Sequence, residues 1–491
     1  MSSMMKQMVG GFKWTGLSSA VVTGVQLLQY VILARLLTPS DFGLMGMIIV
    51  IIGFAQVFTD AGVGTAIIQR KSVTRNELSS LYWLNVFLGF LVFSGVILLA
   101  PAISNFYNQP NLEELIHYIA FIFLIIPFGQ QFQYLIQRNL QFNLLARIEM
   151  VSFSTGVLAS IILAVLDFGV MSLIWGQIIT NATKTIQFTI HGWKHHKPSF
   201  HFRFKEITGY LNFGLNQMGS RIVSYFASNV DYMLIGRYLG SEALGIYTVA
   251  YQLIVIPVSK INPIITKVAY PVFSKEQDNN KTVGSGFIQI SKLLSVVTFP
   301  LLVGMMATSP VLVPVVFGDK WLEAAPLIQI LALLGILRVL MNPNGSVLLA
   351  KGRAGLVFVW DFFVAASNGL VFWYFVQYGT VAVAWAYVAI SMVNFILGRF
   401  LLHYVIRLDN RLYFRALLKP VIINISMGLL VYGMYITTKG FMEEYVLIQL
   451  ILLVAVGVIT YITLFMLIDK PYLNNVKRYL FKGKKIRPQD G

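Results

Sequence analysis

The sequence predicts an all-α polytopic membrane protein of about 14 transmembrane helices, arranged as two pseudo-symmetric six-helix lobes and two further C-terminal helices. Three observations lead to this fold class. Hydrophobic residues make up 57% of the 491 residues and charged residues only 12%, about half the charged fraction of a typical soluble domain. Mean hydropathy is +0.73, and apolar runs of about 20 residues recur along the whole chain. Outside the apolar runs, positive charge falls almost entirely in alternate loops.

Each apolar run is long enough to cross a bilayer as a helix. The first run begins at Trp14 and exceeds the length of a signal peptide, so we expect it to be retained as a span. Between residues 287 and 349, the helical pattern is interrupted by Pro300, Pro310, Pro314 and Pro326. The predicted spans are 14–37, 42–68, 81–104, 114–136, 148–166, 172–193, 208–236, 244–273, 287–317, 322–349, 356–377, 382–402, 417–438 and 445–468.

The lysines and arginines predict the orientation of the spans. With both termini on one side, 26 of the 37 Lys and Arg residues fall on that side, only Arg237, Lys320 and Lys439 fall on the other, and the remaining eight lie within spans. The positive-inside rule therefore predicts a plasma-membrane protein with cytoplasmic termini. The net charge of +17 then reflects topology and not nucleic-acid binding, and we expect the basic tail to contact anionic membrane lipids.

An internal repeat appears when the chain is aligned with itself at an offset of 202 residues. The identical pairs are Tyr30/Tyr232, Arg35/Arg237, Leu37/Leu239 and Gly43/Gly245. Both copies lie at the outward end of a span that leaves the cytoplasm, so the two halves share one orientation. The predicted regions are an N-terminal lobe at 1–206, a C-terminal lobe at 207–416, two additional helices at 417–468 and a basic cytoplasmic tail at 469–491.

Several kinds of chemistry find no support in the sequence. It has no cysteine, and no G-x-x-x-x-G-K-[ST] loop that could hold nucleotide phosphates. Four histidines, at positions 191, 195, 196 and 201, lie in a basic loop whose positive charge opposes metal binding. We therefore expect no metal, no cofactor and no catalytic residue, and we assign function to the spans.

Cations inside apolar spans are the main functional candidates, because burying each one costs at least about 2.5 kcal/mol. Lys260 and Lys267 are seven residues apart, hence on one helical face, in a span that also contains Pro257 and Pro263. A cationic helix bent by prolines suits a cavity for an anion. The four deepest cations are Lys260, Arg338, Lys267 and Arg221.

Other interpretations of these cations stay open. They can extend toward the membrane surface or pair with carboxylates. Two of those carboxylates, Asp60 and Asp231, are also candidates for coupling transport to an ion. Extension toward the surface is the role that we expect for four cations nearer span ends, Arg35, Lys184, Lys292 and Arg399.

An uncharged polar cluster occupies residues 127–133, where Gln130 and Gln131 stand between phenylalanines. Amides beside aromatic rings suit a hydroxyl-rich ligand, because the rings stack on sugar C–H faces while the amides exchange hydrogen bonds with hydroxyls. Hydrogen bonding between helices is the competing interpretation.

Five stretches carry a family resemblance: IIQRK at 67–71, LYWLN at 81–85, GQQFQYLIQRNLQFN at 129–143, NPIITKVAYPVFSK at 262–275 and LRVLMNPNGSVLLAKGR at 337–353. Together they resemble the polysaccharide-transporter branch of the multidrug/oligosaccharidyl-lipid/polysaccharide (MOP) flippase superfamily, in particular its Wzx-type colanic-acid and teichuronic-acid exporters. The resemblance covers nearly the whole chain. It implies two lobes around a central cavity, and a bacterial flippase that moves polyprenyl-diphosphate-linked oligosaccharide across the plasma membrane by alternating access.

The implied substrate agrees with the candidate residues. A diphosphate explains the four deep cations, and a glycan explains a lining of Gln130, Gln131, Asn262 and Asn342. The implied partners are the lipid-linked oligosaccharide, a polysaccharide polymerase and chain-length proteins. Two alternatives stay open. A multidrug antiporter of the same superfamily calls for a carboxylate-lined cavity, and a membrane glycosyltransferase or polymerase calls for a sizeable external loop with acidic residues.

Overall fold

The computed structural model describes residues 3–60, 64, 67–68, 70, 73–194, 196–470 and 472. Within its helices, the side chains of 3–13, 60, 211–217, 220, 263–272 and 354 are not described. The described residues form α-helices joined by short loops and contain no β-strand. The predicted all-α fold class is therefore confirmed.

Fourteen α-helices have described bounds. They are α1 Ser3–Leu36, α2 Pro39–Asp60, α3 Arg75–Tyr107, α4 Asn111–Arg138, α5 Phe142–Val165, α6 Val170–Trp193, α7 Phe204–Lys275, α8 Asn280–Val316, α9 Ala324–Met341, α10 Pro343–Ala350, α11 Ala354–Phe375, α12 Thr380–Ile406, α13 Asn410–Thr438 and α14 Val446–Ile468. Two short 3-10 helices lie at Asp319–Trp321 and Val376–Tyr378.

Local sequence explains where helices begin, end and bend. α3 begins with a capping box, in which the Thr74 hydroxyl accepts from the Glu77 N–H at 3.2 Å and the Glu77 carboxylate accepts from the Thr74 N–H at 2.7 Å. It ends at Asn108, whose φ of 53° is left-handed. Within α7, Gly240 has φ 85° and ψ −176°, a conformation that favours glycine and that separates two helical parts.

The prolines act differently from the prediction. α8 runs without interruption through Pro300, Pro310 and Pro314. The helix ends instead at Val316. A second interruption of the helical hydrogen bonds lies at Asn342, which keeps helical φ and ψ of −54° and −42° and is followed by Pro343 in the first turn of α10.

Twelve segments within the described residues are long and apolar enough to cross a membrane. α6 is not among them, because its Gln, Asn, Thr and Lys side chains lower its hydropathy. α7 contributes one segment, Arg221–Asn262, where the sequence predicts two spans. The multi-pass character is confirmed, and the number of 14 spans stays a prediction.

The chain forms two compact units, of which the first comprises Met1–Val249 and Phe358–Val383. Within it, α3 packs against α4, both α4 and α5 pack against α6, and α1 packs against α5. Its buried cluster includes Leu81, Phe132 and Phe188. The lobe boundaries inferred from the sequence repeat stay a prediction.

The repeated segments meet inside the first unit. A Cβ added to Gly43 would lie 1.7 Å from the Ser241 carbonyl oxygen, and one added to Gly245 would lie 1.8 Å from the Pro39 carbonyl oxygen. Each contact is the counterpart of the other at the 202-residue offset. Glycine at both positions therefore permits a reciprocal backbone-to-backbone contact between the two copies.

The second unit comprises Ala250–Val357 and Ala384–Gly491. α8 packs there against α9, α10, α13 and α14. The last two helices are thus part of the unit's packing, through a buried cluster formed by Ala307, Val311, Met427, Val431 and Leu453.

An ion-pair cluster also holds the end of α14. Asp469 is 3% exposed and lies 2.7 Å from the Lys292 ammonium and 3.5 Å from that of Lys419. Lys292 thus pairs with the first residue of the predicted cytoplasmic tail, and its extension toward the membrane surface stays a prediction.

Candidate functional site

A cavity of about 460 Å³ lies in the second unit. Its walls come from the part of α7 that follows Val249 and from α9, and Asn342 at the end of α9 completes the lining. Arg338, Asn262 and Asn342, three of the residues singled out by the sequence, line this one cavity.

A glycine on α9 allows the helices around the cavity to approach closely. A Cβ added to Gly335 would lie 2.8 Å from the Ile254 side chain on α7 and 3.1 Å from the Leu302 side chain on α8. Arg338 lies three residues later, hence on the same side of α9. The close packing at Gly335 therefore directs Arg338 toward α7 and the cavity.

Two tyrosines surround the Arg338 guanidinium. Its Nη2 donates a hydrogen bond to the Tyr387 hydroxyl. The guanidinium carbon lies 5.1 Å from the ring centroids of both Tyr251 and Tyr387, within the range of cation–π attraction. The tyrosines thus hold a half-buried cation at the cavity wall.

The cavity combines apolar walls with a few polar groups. Its polar lining includes Tyr251, Ser259, Asn262, Arg338 and Asn342, and no carboxylate is among the described residues that line it. A volume of this size falls within the range of about 300–1,000 Å³ typical of ligand sites. The planar guanidinium presents paired N–H donors that match phosphate oxygens, while the amides and the hydroxyl can bond neighbouring oxygens. Such a site suits an anionic head group attached to an apolar chain.

The other predicted cations lie apart from this cavity or outside the description. Lys260 is half-buried on α7, but it is not one of the residues that line the cavity. The Lys267 side chain lies outside the described residues. Arg221 is half-buried in the first unit.

The glutamine cluster makes hydrogen bonds inside the first unit. Gln130 donates to the Tyr134 hydroxyl at 3.0 Å, one turn along α4. Gln131 is 2% exposed and donates to the Leu78 carbonyl oxygen at 2.9 Å, so it joins α4 to α3. Gln131 thus has the interhelical role that competes with a glycan contact, and the glycan contact stays a prediction.

Of the two candidate coupling carboxylates, one is described. Asp231 is 1% exposed in the first unit and accepts a hydrogen bond from the Tyr247 hydroxyl at 2.9 Å. The side chain of Asp60 lies outside the described residues.

The histidine-containing loop is fixed to α3. His201 Nε2 lies 3.0 Å from the Glu206 carboxylate, and the Ser80 hydroxyl donates to the same carboxylate at 2.9 Å. The hydrogen bond from His201 is the main cause that lowers the pKa of Glu206 below its ordinary value. His195 lies outside the described residues, among which no group of three His, Cys, Asp or Glu side chains could hold a metal ion.

Arg399 contradicts its predicted role. We expected it to extend toward the membrane surface, but it is only 3% exposed, so that prediction is wrong. Its Nη2 donates to Asn344 Oδ1. Its guanidinium carbon lies 4.7 Å from the ring centroid of Tyr413, 4.9 Å from that of Phe287 and 5.2 Å from that of Phe395. The rings accommodate the alkyl and guanidinium surfaces, which makes deep burial possible.

Known proteins similar to this chain were found by sequence and by fold. Residues 32–326 match the family described as polysaccharide biosynthesis protein. The chain is 42% identical to the teichuronic acid biosynthesis protein TuaB of Bacillus subtilis (strain 168), over 99% of this chain and 100% of that protein. It is 32% identical to the lipopolysaccharide biosynthesis protein WzxC of Escherichia coli (strain K12), over 89% of each chain.

A solved structure has a similar fold. The lipid II flippase MurJ, in an inward closed conformation, matches with a TM-score of 0.74 at 14% identity, over 95% of this chain and 100% of that chain. The sequence similarity is low, so this likeness concerns the fold. It agrees with the fold class predicted by the sequence.

Proposed function

Since this chain belongs to the polysaccharide biosynthesis protein family, we propose that it is a flippase that exports lipid-linked oligosaccharide units for surface polysaccharide. Two relatives are named for the biosynthesis of teichuronic acid and of lipopolysaccharide, and the structural relative is named a lipid II flippase. These names support a substrate in which a glycan is carried on a lipid. The protein then moves its substrate without changing a covalent bond, and it is a transporter and not an enzyme.

The Arg338 cavity supports a more specific role for the second unit. In this proposal its guanidinium binds the diphosphate of a polyprenyl-diphosphate-linked oligosaccharide, while Asn262 and Asn342 bond oxygens of the adjoining sugar. A cavity of about 460 Å³ is too small for the whole substrate but large enough for this head group. Lys260, Lys267 and Arg221 remain further proposed substrate-binding cations.

The same cavity weighs against the multidrug alternative. A site for cationic drugs calls for a carboxylate, whereas Arg338 is the charged residue among the described residues that line this cavity. Asp231 and Asp60 remain the proposed coupling residues for alternating access, because a carboxylate that exchanges a proton or a cation can link two conformations to an ion gradient.

The proposed location is the bacterial plasma membrane, with both termini cytoplasmic and 14 spans. Reporter fusions at Asn108 and Thr380 should then report the outside, and fusions at Arg75 and Lys351 the cytoplasm. Disagreement at two or more of these sites overturns the topology. A polysaccharide polymerase and chain-length proteins are the proposed partners downstream, and anionic lipids the proposed partners of the basic tail.

Deletion of the gene tests the transport function. Synthesis of the lipid-linked unit should continue while the unit accumulates on the cytoplasmic leaflet and surface polysaccharide falls. Leaflet-specific labelling of the lipid-linked glycan measures this directly. Normal exposure on the outer leaflet, in a deletion strain without a second flippase, contradicts the proposal.

A further inference from the structure

A second arginine of the same unit, Arg399, contacts the helix interruption at Asn342 and Pro343 that follows the cavity lining. Asn342 lines the cavity at the end of α9, Pro343 begins α10, and Asn344 is the second residue of that helix. Arg399, on α12, donates its hydrogen bond to Asn344. A side chain buried outside the cavity is thus bonded two residues from the cavity lining.

The same helix also contacts Arg338 itself. Tyr387 on α12 accepts the hydrogen bond from Arg338 on α9, and Arg399, twelve residues further along α12, bonds Asn344 on α10. Twelve helical residues span about 18 Å. α12 therefore contacts the α9–α10 segment at two separated points, one on each side of the proline break.

Burial of the Arg399 guanidinium costs free energy that its hydrogen bonds only partly offset. Among the described residues, its Nε and Nη1 have no hydrogen-bond partner and no carboxylate forms an ion pair with it. Removing a cation from water in this way is unfavourable. A protein with an apolar side chain of similar volume at such a position is often at least as stable as one with the buried charge. The contribution of Arg399 to folding stability alone therefore does not account for the charge at this position.

We infer that Arg399 is a positioning residue, which holds the Asn342–Pro343–Asn344 break so that Asn342 and Arg338 keep their places at the cavity. The inference rests on the proposed function, because it assigns Arg399 a part in binding the same substrate. Arg399 does not touch the substrate. Its planar guanidinium acts through Asn344, and the rings of Phe287, Phe395 and Tyr413 fix its direction.

The test compares transport and stability in the full-length protein reconstituted into liposomes with a polyprenyl-diphosphate-linked sugar. For Arg399→Met we expect a thermal unfolding midpoint no lower than that of the wild type, because an incompletely paired buried charge is removed. We expect the half-saturating substrate fraction, which is the mole fraction of substrate in the liposome lipid at half the maximal transport rate, to rise about tenfold. The maximal transport rate should change less than twofold, because displacement of Asn342 or Arg338 weakens substrate binding. Arg415→Met, at an exposed arginine on α13, is the matched control and should change neither quantity.

Two further variants separate positioning from a structural role. Arg399→Lys should recover part of the affinity, because an ammonium group can still donate to Asn344. Asn344→Ala should raise the half-saturating substrate fraction as Arg399→Met does. The double variant should have a half-saturating fraction no higher than that of either single variant, because both substitutions act through one contact. Normal kinetics in Arg399→Met overturn the inference. So does a loss of transport that follows a loss of stability and is not relieved by Arg399→Lys.

The proposed function fails in a different way. If Arg338→Ala transports normally, the cavity is not the substrate site, whatever Arg399 does. If Arg338→Ala is inactive while Arg399→Met has wild-type kinetics, the site stands and only the positioning role is wrong.

Discussion

Arg338 and Arg399 lie in the same unit and have similar aromatic surroundings, yet only Arg338 is among the described residues that line the 460 Å³ cavity. Arg338 is half-buried between two tyrosines and lines the 460 Å³ space, whereas Arg399 is 3% exposed among three rings. We propose that Arg338 binds the ligand and that Arg399 positions the residues that do. The two residues carry the same charge, but they differ in depth and in access to the cavity.

Of the substitutions that test this comparison, replacement of Arg338 should have the largest effect on export. Arg338→Ala removes the charge and the paired donors, so we expect export to be abolished while the protein stays in the membrane. Arg338→Lys should keep partial export, because a point charge still attracts a diphosphate without the bidentate geometry. Export and membrane abundance are measured together. If Arg338 serves only structure, abundance falls with export instead.

A carboxylate placed in the cavity should have the next largest effect. Asn262→Asp keeps the side-chain shape but adds a negative charge to a space that we assign to an anion. If the new carboxylate lies about 8 Å from one negative charge of the ligand, at an effective dielectric constant of about 20, the repulsion between the two charges is roughly 2 kcal/mol. Substrate binding should therefore weaken about 30-fold. Asn262→Ser, which stays neutral, is the control, and equal binding by both variants counts against an anionic ligand.

Loss of the tyrosine hydroxyl should have a smaller effect. Tyr387→Phe keeps the ring beside Arg338 but removes the hydrogen-bond acceptor, which is worth about 1.5 kcal/mol for a charged donor. We expect the half-saturating substrate fraction to rise roughly tenfold. Tyr404→Phe, at an exposed tyrosine on the same helix, should be silent. An unchanged Tyr387→Phe protein would mean that Tyr387 does not orient Arg338.

Replacing Lys260 should have the smallest effect of the series. Lys260 is on α7 beside the cavity-lining Ser259 but does not itself line the cavity. We therefore expect Lys260→Ala to lower the initial export rate only about threefold, through a weaker long-range attraction for the substrate. Abolished export, at normal abundance, would extend the binding site beyond the described cavity.

The sequence predicted the fold class, and it singled out residues that line the described cavity, for physical reasons that can be stated. Hydropathy and charge asymmetry are properties of single segments, so the multi-pass helical fold could be inferred from them. Arg338 and the Asn-Pro-Asn break stood out because a charge and a proline are both costly inside an apolar helix.

The partners of these residues could not be inferred in the same way. Tyr387 lies 49 positions after Arg338, and nothing in the local pattern of α12 separates it from the many other aromatic residues of the chain. Arg399 looked like a cation at a span end, because sequence position does not reveal the three rings that cover it. Gln131 looked like a ligand contact, although its amide is bonded to a carbonyl of the neighbouring helix.

Binding of the substrate head group by the purified protein tests the central claim most directly. Wild-type protein and Arg338→Ala are compared by native mass spectrometry with a polyprenyl-diphosphate-linked sugar and with the same sugar on an uncharged polyprenyl chain. The account predicts that the wild type prefers the diphosphate compound by at least about 30-fold, and that Arg338→Ala loses this preference while remaining folded. Equal preference in the two proteins would contradict the assignment of Arg338 as the diphosphate-binding residue.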